Sequence, residues 1–142
     1  MAASGHDSPM ANVAILRSRY VKDTVDTTAP GRLIVALYDR LLLDLERASE
    51  GVARADIELT HECLVHAQLI VAELYISLDT DAWPPAQGLA DIYLFVHREL
   101  IAANVEKRAE RIDSCHGLLA PLRDAWYAAA GIVPSNPVGG AR

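Results

Sequence analysis

The histidines of the segment HECLVH, residues 61–66, are the first candidates for chemistry in this sequence. A zinc-protease helix carries two histidines four residues apart, so that both imidazoles reach one metal ion from the same face. His61 and His66 are five residues apart, which separates them by about 140° around a helix. The segment therefore does not predict a zinc site.

A second candidate for metal chemistry is a pair of carboxylate–histidine elements, Glu58-x-x-His61 and Asp113-x-x-His116. Di-metal carboxylate bundles use such elements, with every ligand projecting inward. Glu58 lies about 150° from the core stripe of its own helix, so we expect it to face solvent. A Gly-rich phosphate loop, a Ser/His/Asp arrangement and a Cys-x-x-Cys pair are also missing from the sequence. We therefore predict no metal, no cofactor and no enzyme activity.

The elements that would position these side chains are helices. The sequence is 51% hydrophobic but only 6% aromatic, which is typical of an Ala- and Leu-rich helical protein. Apolar spacing and end signals predict four helices: from TTAPG, just before Leu33, to Glu50, where Gly51 ends the first; from about Ala55 to Leu78; from about 86 to 107; and from about 109 to 129. Two prolines in DTDAWPPAQG, residues 79–88, separate the second helix from the third and bias Trp83 toward extended geometry.

Short connections between four helices predict an all-α fold, an antiparallel four-helix bundle. We divide the chain into a flexible N-terminal arm at 1–18, a bundle domain at 19–130 and a disordered tail at 131–142. Pro121 lies inside the last helix and predicts a kink, or a helix in two parts, because proline removes a backbone hydrogen bond. Cys63 and Cys115 lie among apolar residues at helical spacing, so we expect both thiols in the core.

Three of the predicted helices are apolar over more of their surface than a bundle requires. The first has a wide apolar arc that includes Leu37, Tyr38 and Leu41, which two neighbouring helices could also explain. On the second and third helices, separate stripes lie about 150–180° from the core stripes. The stripe of the second helix comprises Val65, Leu69, Ala72 and Ile76, and that of the third comprises Leu94, Ile101 and Val105.

Contiguous exposed apolar patches usually mark interaction sites, although scattered surface leucines are normal. Three covers for the extra stripes are open: the N-terminal arm of the chain, a second copy of the protein, or an apolar segment of another protein. The pattern predicts a helical interaction module more readily than an enzyme.

The net charge limits the partners. Nineteen acidic residues against thirteen basic ones give a formal charge of −6, which disfavours nucleic-acid binding. The apolar run LIVALY at 33–38 is far shorter than the roughly 20 residues that span a bilayer. The first residues do not resemble a signal peptide, so we expect a cytoplasmic protein without membrane insertion.

Several short motifs follow one another along the chain. They are Tyr20, Val25, Thr27, Pro30, Leu33 and LYD at 37–39, then LD at 78–79, IYLFVHREL with Tyr93, AN at 103–104, and LRDAW at 122–126. Their order and spacing resemble the FliS-type flagellin export chaperones, and the likeness covers about residues 20 to 128. The resemblance implies a helical bundle that binds the disordered C-terminal segment of flagellin, prevents its polymerisation in the cytosol and delivers it to the flagellar type III export gate.

Together, the resemblance and the extra stripes predict a set of partner-binding residues and the roles of some of them. Leu69, Ile76, Leu94, Ile101 and Val105 would line the seat of the peptide. Asn104 would hydrogen-bond its extended backbone, and Tyr20 would cover the groove when it is empty. Leu37, Tyr38 and Leu41 complete the set. We expect a monomer or weak dimer; the alternative is a self-associating structural bundle without a flagellin client.

Overall fold

The computed structural model describes residues 30–81 and 84–132, which form four α-helices. These are α1 (Pro30–Ala53), α2 (Ile57–Ile76), α3 (Ala86–Glu106) and α4 (Ala109–Ala130). Each helix packs against the next, and α4 closes the ring by packing on α1. The all-α four-helix bundle predicted from the sequence is confirmed.

Contacts between the helices show that neighbours run antiparallel. Glu46 of α1 pairs with His116 of α4, and Ser49, three residues later on α1, pairs with Asp113, three residues earlier on α4. Arg111 of α4 donates to both carboxylate oxygens of Glu99 on α3, at 2.9 and 3.0 Å. These pairs fix which residues face each other between α1 and α4 and between α3 and α4.

The end of α1 differs from the prediction. The expectation that Gly51 ends the helix is wrong, because α1 continues to Ala53 and Ala55 takes the left-handed conformation after it, with φ 56°. The amide of Asp56 donates to the carbonyl of Gly51 at 2.8 Å, which closes the helix end. Gly51 instead allows close packing, since a Cβ there would lie 2.5 Å from Oγ1 of Thr60 on α2.

The beginnings and ends of the other helices lie close to their predicted positions. α2 begins at Ile57, two residues after Ala55, because the side chain of Asp56 caps it by accepting from the amide of Leu59 at 3.0 Å. It ends at Ile76, before the predicted Leu78. α4 is a single helix that contains Pro121, so of the two predicted alternatives a helix in two parts is wrong, and the kink stays a prediction. Pro121 and Gly117, whose carbonyl loses its hydrogen bond, are both exposed to solvent.

A polar aromatic cluster lies at the centre of the core. The hydroxyls of Tyr38 on α1 and Tyr93 on α3 are hydrogen-bonded at 2.7 Å, and both side chains are buried. The ring of Trp126 on α4 packs against Tyr38 with a centroid separation of 6.5 Å. The cluster therefore joins three helices, two of them diagonal in the bundle. Cys63 and Cys115 are both buried and free, as predicted.

Some predictions fall outside the residues that the structure describes. These concern the arm at 1–18, Tyr20, the geometry of Trp83, and the tail from residue 133 onward. In the described ranges, no helix is long and apolar enough to cross a membrane.

Candidate functional site: the outer groove between α2 and α3

The outer surface between α2 and α3 carries the extra apolar stripes. Two contacts fix the register of the helices: His61 bonds Asn104, and farther along Ala72 and Leu94 line the same depression. Residues at three- and four-residue steps lie on one helix face, so the stripes run side by side between these points. We call this surface the α2–α3 groove and define it by these residues: His61, Val65, Leu69, Ala72 and Ile76 on α2, and Leu94, His97, Ile101, Asn104 and Val105 on α3.

Apolar side chains in the groove are exposed to different degrees. Val105 is 80% exposed, Ile101 44% and Leu94 42%, whereas Leu69 and Ile76 are half-buried. Between the two helices lies a small depression of about 50 Å³, lined mainly by Ala72, Leu94 and neighbouring aromatic side chains. A strip of partly exposed apolar side chains, interrupted by His61, His97 and Asn104, is thus accessible on the outside of the bundle.

The predicted residues of α1 do not belong to this surface. Tyr38 and Leu41 have no exposed surface and belong to the core. A partner cannot contact them in this conformation, so their inclusion as contact residues is corrected. Leu37 is half-buried and packs against the core cluster. The wide apolar arc of α1 is explained by its two neighbours, α2 and α4, which cover it from both sides.

Comparison with known proteins identifies the family. A family model described as "Flagellar protein FliS" matches residues 12–133. The chain belongs to the FliS family. Two relatives are each named "Flagellar secretion chaperone FliS". That of Bacillus subtilis is 29% identical over 107 residues, and that of Salmonella typhimurium is 30% identical over 108 residues. Each match covers 75% of this chain and 80% of the relative.

Several residues that carried the FliS resemblance lie in the core and not in the groove. The aromatic cluster consists of Tyr38, Tyr93 and Trp126, from three separate motifs; both tyrosines are buried, and Trp126 is half-buried against them. Burial is the main cause that raises the pKa of both tyrosine hydroxyls, so they stay protonated and available as donors. These FliS motif residues hold the helices together, and they support the groove from beneath.

Asn104, also from a FliS motif, lies in the groove. Its Nδ2 is 2.9 Å from Nδ1 of His61 on α2, and its Oδ1 accepts from Nζ of Lys107 at 2.8 Å. Lys107 follows the last turn of α3 in the left-handed conformation, with φ 56°. Asn104 is therefore held from two sides at the end of the groove.

His97 was missed in the sequence, although it lies in the middle of the α3 stripe between Leu94 and Ile101. The spacing 94, 97, 101 is the signal that could have found it. The side chain is half-buried and lines the apolar depression. Burial lowers the pKa of the imidazole, so His97 is neutral at neutral pH and adds little charge to the groove.

A second apolar surface was also missed. Phe95 on α3 is 43% exposed, and Leu118 on α4 is 37% exposed. The Glu99–Arg111 pair shows that these parts of the two helices lie next to each other. Because Leu94 and Phe95 are consecutive on α3, apolar surface extends to both flanks of this helix.

The candidate metal ligands are separated in the fold. His61 bonds Asn104, whereas His116 bonds Glu46, at 2.9 Å, on the opposite side of the bundle. Asp113 accepts from Ser49 of α1, and Glu58 is exposed. In the part of the chain that the structure describes, no three His, Cys, Asp or Glu side chains are grouped so that they could hold a metal ion.

Proposed function

We propose that the protein is a cytoplasmic export chaperone that binds the disordered C-terminal segment of flagellin in the α2–α3 groove. Binding there would keep flagellin from polymerising before export, and the complex would be delivered to the flagellar type III export apparatus. Membership of the FliS family, whose relatives are named flagellar secretion chaperones, supports the export role. The observation that carries the proposed site is the exposed apolar strip along α2 and α3.

The physical reason for a large apolar site is the free energy needed to order the flagellin segment when it binds. A disordered segment that folds on binding loses conformational entropy, and burial of roughly 1,000–3,000 Å² of surface is typical of such complexes. Leu94, Ile101 and Val105 offer apolar area that the bundle itself leaves in water. The adjacent surface at Phe95 and Leu118 would extend the seat around α3, so that one peptide is bound on both flanks of this helix.

Within the groove, we assign the residues different roles. Leu69, Ile76, Leu94, Ile101 and Val105 bind apolar side chains of the peptide, and Asn104 bonds its backbone. Outside the groove, Leu37 of α1 is a further proposed contact, because it remains partly exposed. Tyr20 covers the groove when no client is bound.

Titration calorimetry tests the proposal with a synthetic peptide of the C-terminal segment of the organism's flagellin. We expect the wild-type protein to bind it, and Ile101→Asp and Leu94→Asp each to abolish binding, because a carboxylate is placed in the apolar contact. Leu43→Asp is a matched control, since Leu43 is 39% exposed but lies on α1 away from the groove. It should retain wild-type affinity, and circular dichroism should show that all variants remain folded.

Two results would contradict the proposal. One is wild-type affinity in both Ile101→Asp and Leu94→Asp. The other comes from a sedimentation series over protein concentration. A tight dimer that is unaffected by the peptide would indicate that a second copy covers the apolar strip.

A further inference from the structure

The geometry points to a fixed backbone-binding centre at one end of the α2–α3 groove. In this centre, His61 and Lys107 orient Asn104 so that its side-chain amide can form hydrogen bonds with the main chain of an extended peptide. This role rests on the proposed function and assigns two positioning residues to it. The centre is defined by His61, Asn104 and Lys107.

The orientation of the Asn104 amide follows from the chemistry of its neighbours. The ammonium group of Lys107 can only donate, so the atom of Asn104 that it contacts at 2.8 Å is the oxygen Oδ1. The nitrogen Nδ2 then faces His61 and donates to Nδ1 at 2.9 Å. In this arrangement Nδ1 of His61 is the acceptor, which corresponds to the tautomer with the ring proton on Nε2. One donor-only side chain thus fixes both an amide orientation and a histidine tautomer.

This arrangement uses only half of the hydrogen-bonding capacity of the Asn104 side chain. Nδ2 has a second hydrogen, and Oδ1 has a second lone pair. The peptide main chain presents an acceptor and a donor on each residue, which match these two groups. The bonds of the amide to His61 and Lys107 already restrict the direction of each free group. The amide is therefore arranged to bind a backbone without further loss of its own rotamer freedom.

The apolar surroundings fit an extended segment. Ile57, one turn before His61, is 66% exposed, and Val105, next to Asn104, is 80% exposed. The pairing of His61 with Asn104 brings these two helix ends together. Residues that flank a backbone bonded to Asn104 would therefore meet apolar side chains on both helices. Hydrogen bonds to the main chain give affinity with little demand on the sequence, whereas the apolar contacts select the side chains.

Lys107 offers a way to separate this role from folding. Its backbone is left-handed, with φ 56°, a conformation that glycine adopts without steric cost. Lys107→Gly therefore removes the ammonium group, which bonds both Oδ1 and the main-chain carbonyl of Asn104, while it relieves the backbone. If Lys107 only stabilised the fold, its removal would lower the stability of the protein. If it positions Asn104, its removal would weaken peptide binding instead.

The test measures the affinity of the full-length protein for the flagellin C-terminal peptide. We expect Asn104→Asp to weaken binding by about tenfold, because it removes the free N–H donor. Lys107→Gly should weaken binding by about threefold, with an unchanged or higher unfolding temperature. Gln87→Glu is the matched control for the added charge, since Gln87 is an exposed amide at the other end of α3. It should bind as the wild type does.

A spectroscopic signature tests the positioning directly. ¹⁵N shifts of the His61 ring, at mildly alkaline pH, should show the Nε2–H tautomer in the wild type and a mixture of tautomers in Lys107→Gly. His61→Asn should retain more of the peptide affinity than His61→Leu, because the side-chain oxygen of asparagine can replace the Nδ1 acceptor.

The outcomes separate this role from the proposed function. Wild-type protein that does not bind the peptide overturns both. Wild-type binding that is unchanged in Asn104→Asp and Lys107→Gly overturns the backbone-binding centre alone, as does an Nδ1–H tautomer of His61 in the wild type.

Discussion

Leu100 and Ile101 are consecutive on α3 and nearly equal in size, yet they have opposite environments. Leu100 is 0% exposed and packs in the core, whereas Ile101 is 44% exposed in the α2–α3 groove. The inner side of α3 has all its apolar surface covered by the other helices, and the outer side does not. Apolar composition alone therefore does not separate residues that stabilise the bundle from residues that are available to a partner.

Alanine substitutions at the two positions should give the largest difference. Leu100→Ala is expected to lower the free energy of unfolding by about 2–5 kcal/mol, because it leaves a cavity in a packed core. Ile101→Ala should cost less than about 1 kcal/mol, since half of the side chain is already in water. Urea denaturation of both variants provides the measurement, and equal losses would contradict the division between the two sides of α3.

A polar substitution in the core sharpens the same comparison. Tyr93→Phe removes the hydroxyl that bonds Tyr38 and should cost about 1–2 kcal/mol, because the buried Tyr38 hydroxyl loses a partner. His61→Ala also removes a side-chain hydrogen bond between helices, but this bond is exposed and water can replace it. Thermal unfolding should therefore show a clear shift for Tyr93→Phe and almost none for His61→Ala. The opposite order would contradict the assignment of the tyrosine pair to the structural core.

The smallest expected effect concerns pH and His97. Burial lowers the pKa of the folded imidazole below its ordinary value of 6.5, so the unfolded chain binds this proton more readily. The contribution of His97 to the free energy of unfolding is therefore present at neutral pH. It is lost as the pH falls through about 6.5 toward the lower folded pKa. Denaturation of wild type and His97→Leu at several pH values measures it. The wild type should lose more stability on acidification; identical pH profiles would contradict the burial of His97 in the groove.

Helix number and order could be predicted from the sequence because apolar spacing records them directly. The end of the first helix could not, because Gly51 has the usual identity of a helix terminator. Its role depends on the approach of Thr60, which is nine residues away along the chain and is set by packing. Ala55, which takes the left-handed conformation instead, carries no such signal.

The candidate site was predicted in part for a similar reason. A helical wheel shows that α3 has two apolar sides, so Leu94, Ile101 and Val105 could be grouped from spacing alone. It does not show where neighbouring helices pack, and therefore Tyr38 and Leu41 were placed with the contact residues although the core covers them. Lys107 gave no signal, because its role depends on a backbone conformation that becomes visible only in the fold.

The most direct test of the account is an NMR measurement of contacts between methyl-labelled protein and the flagellin C-terminal peptide. We predict intermolecular nuclear Overhauser effects from the methyl groups of Leu94, Ile101 and Val105, and none from Leu100. Peptide contacts confined to Leu43 and the outer face of α1, with the methyl groups of the α2–α3 groove unaffected, would contradict the central claim that the groove is the client-binding surface.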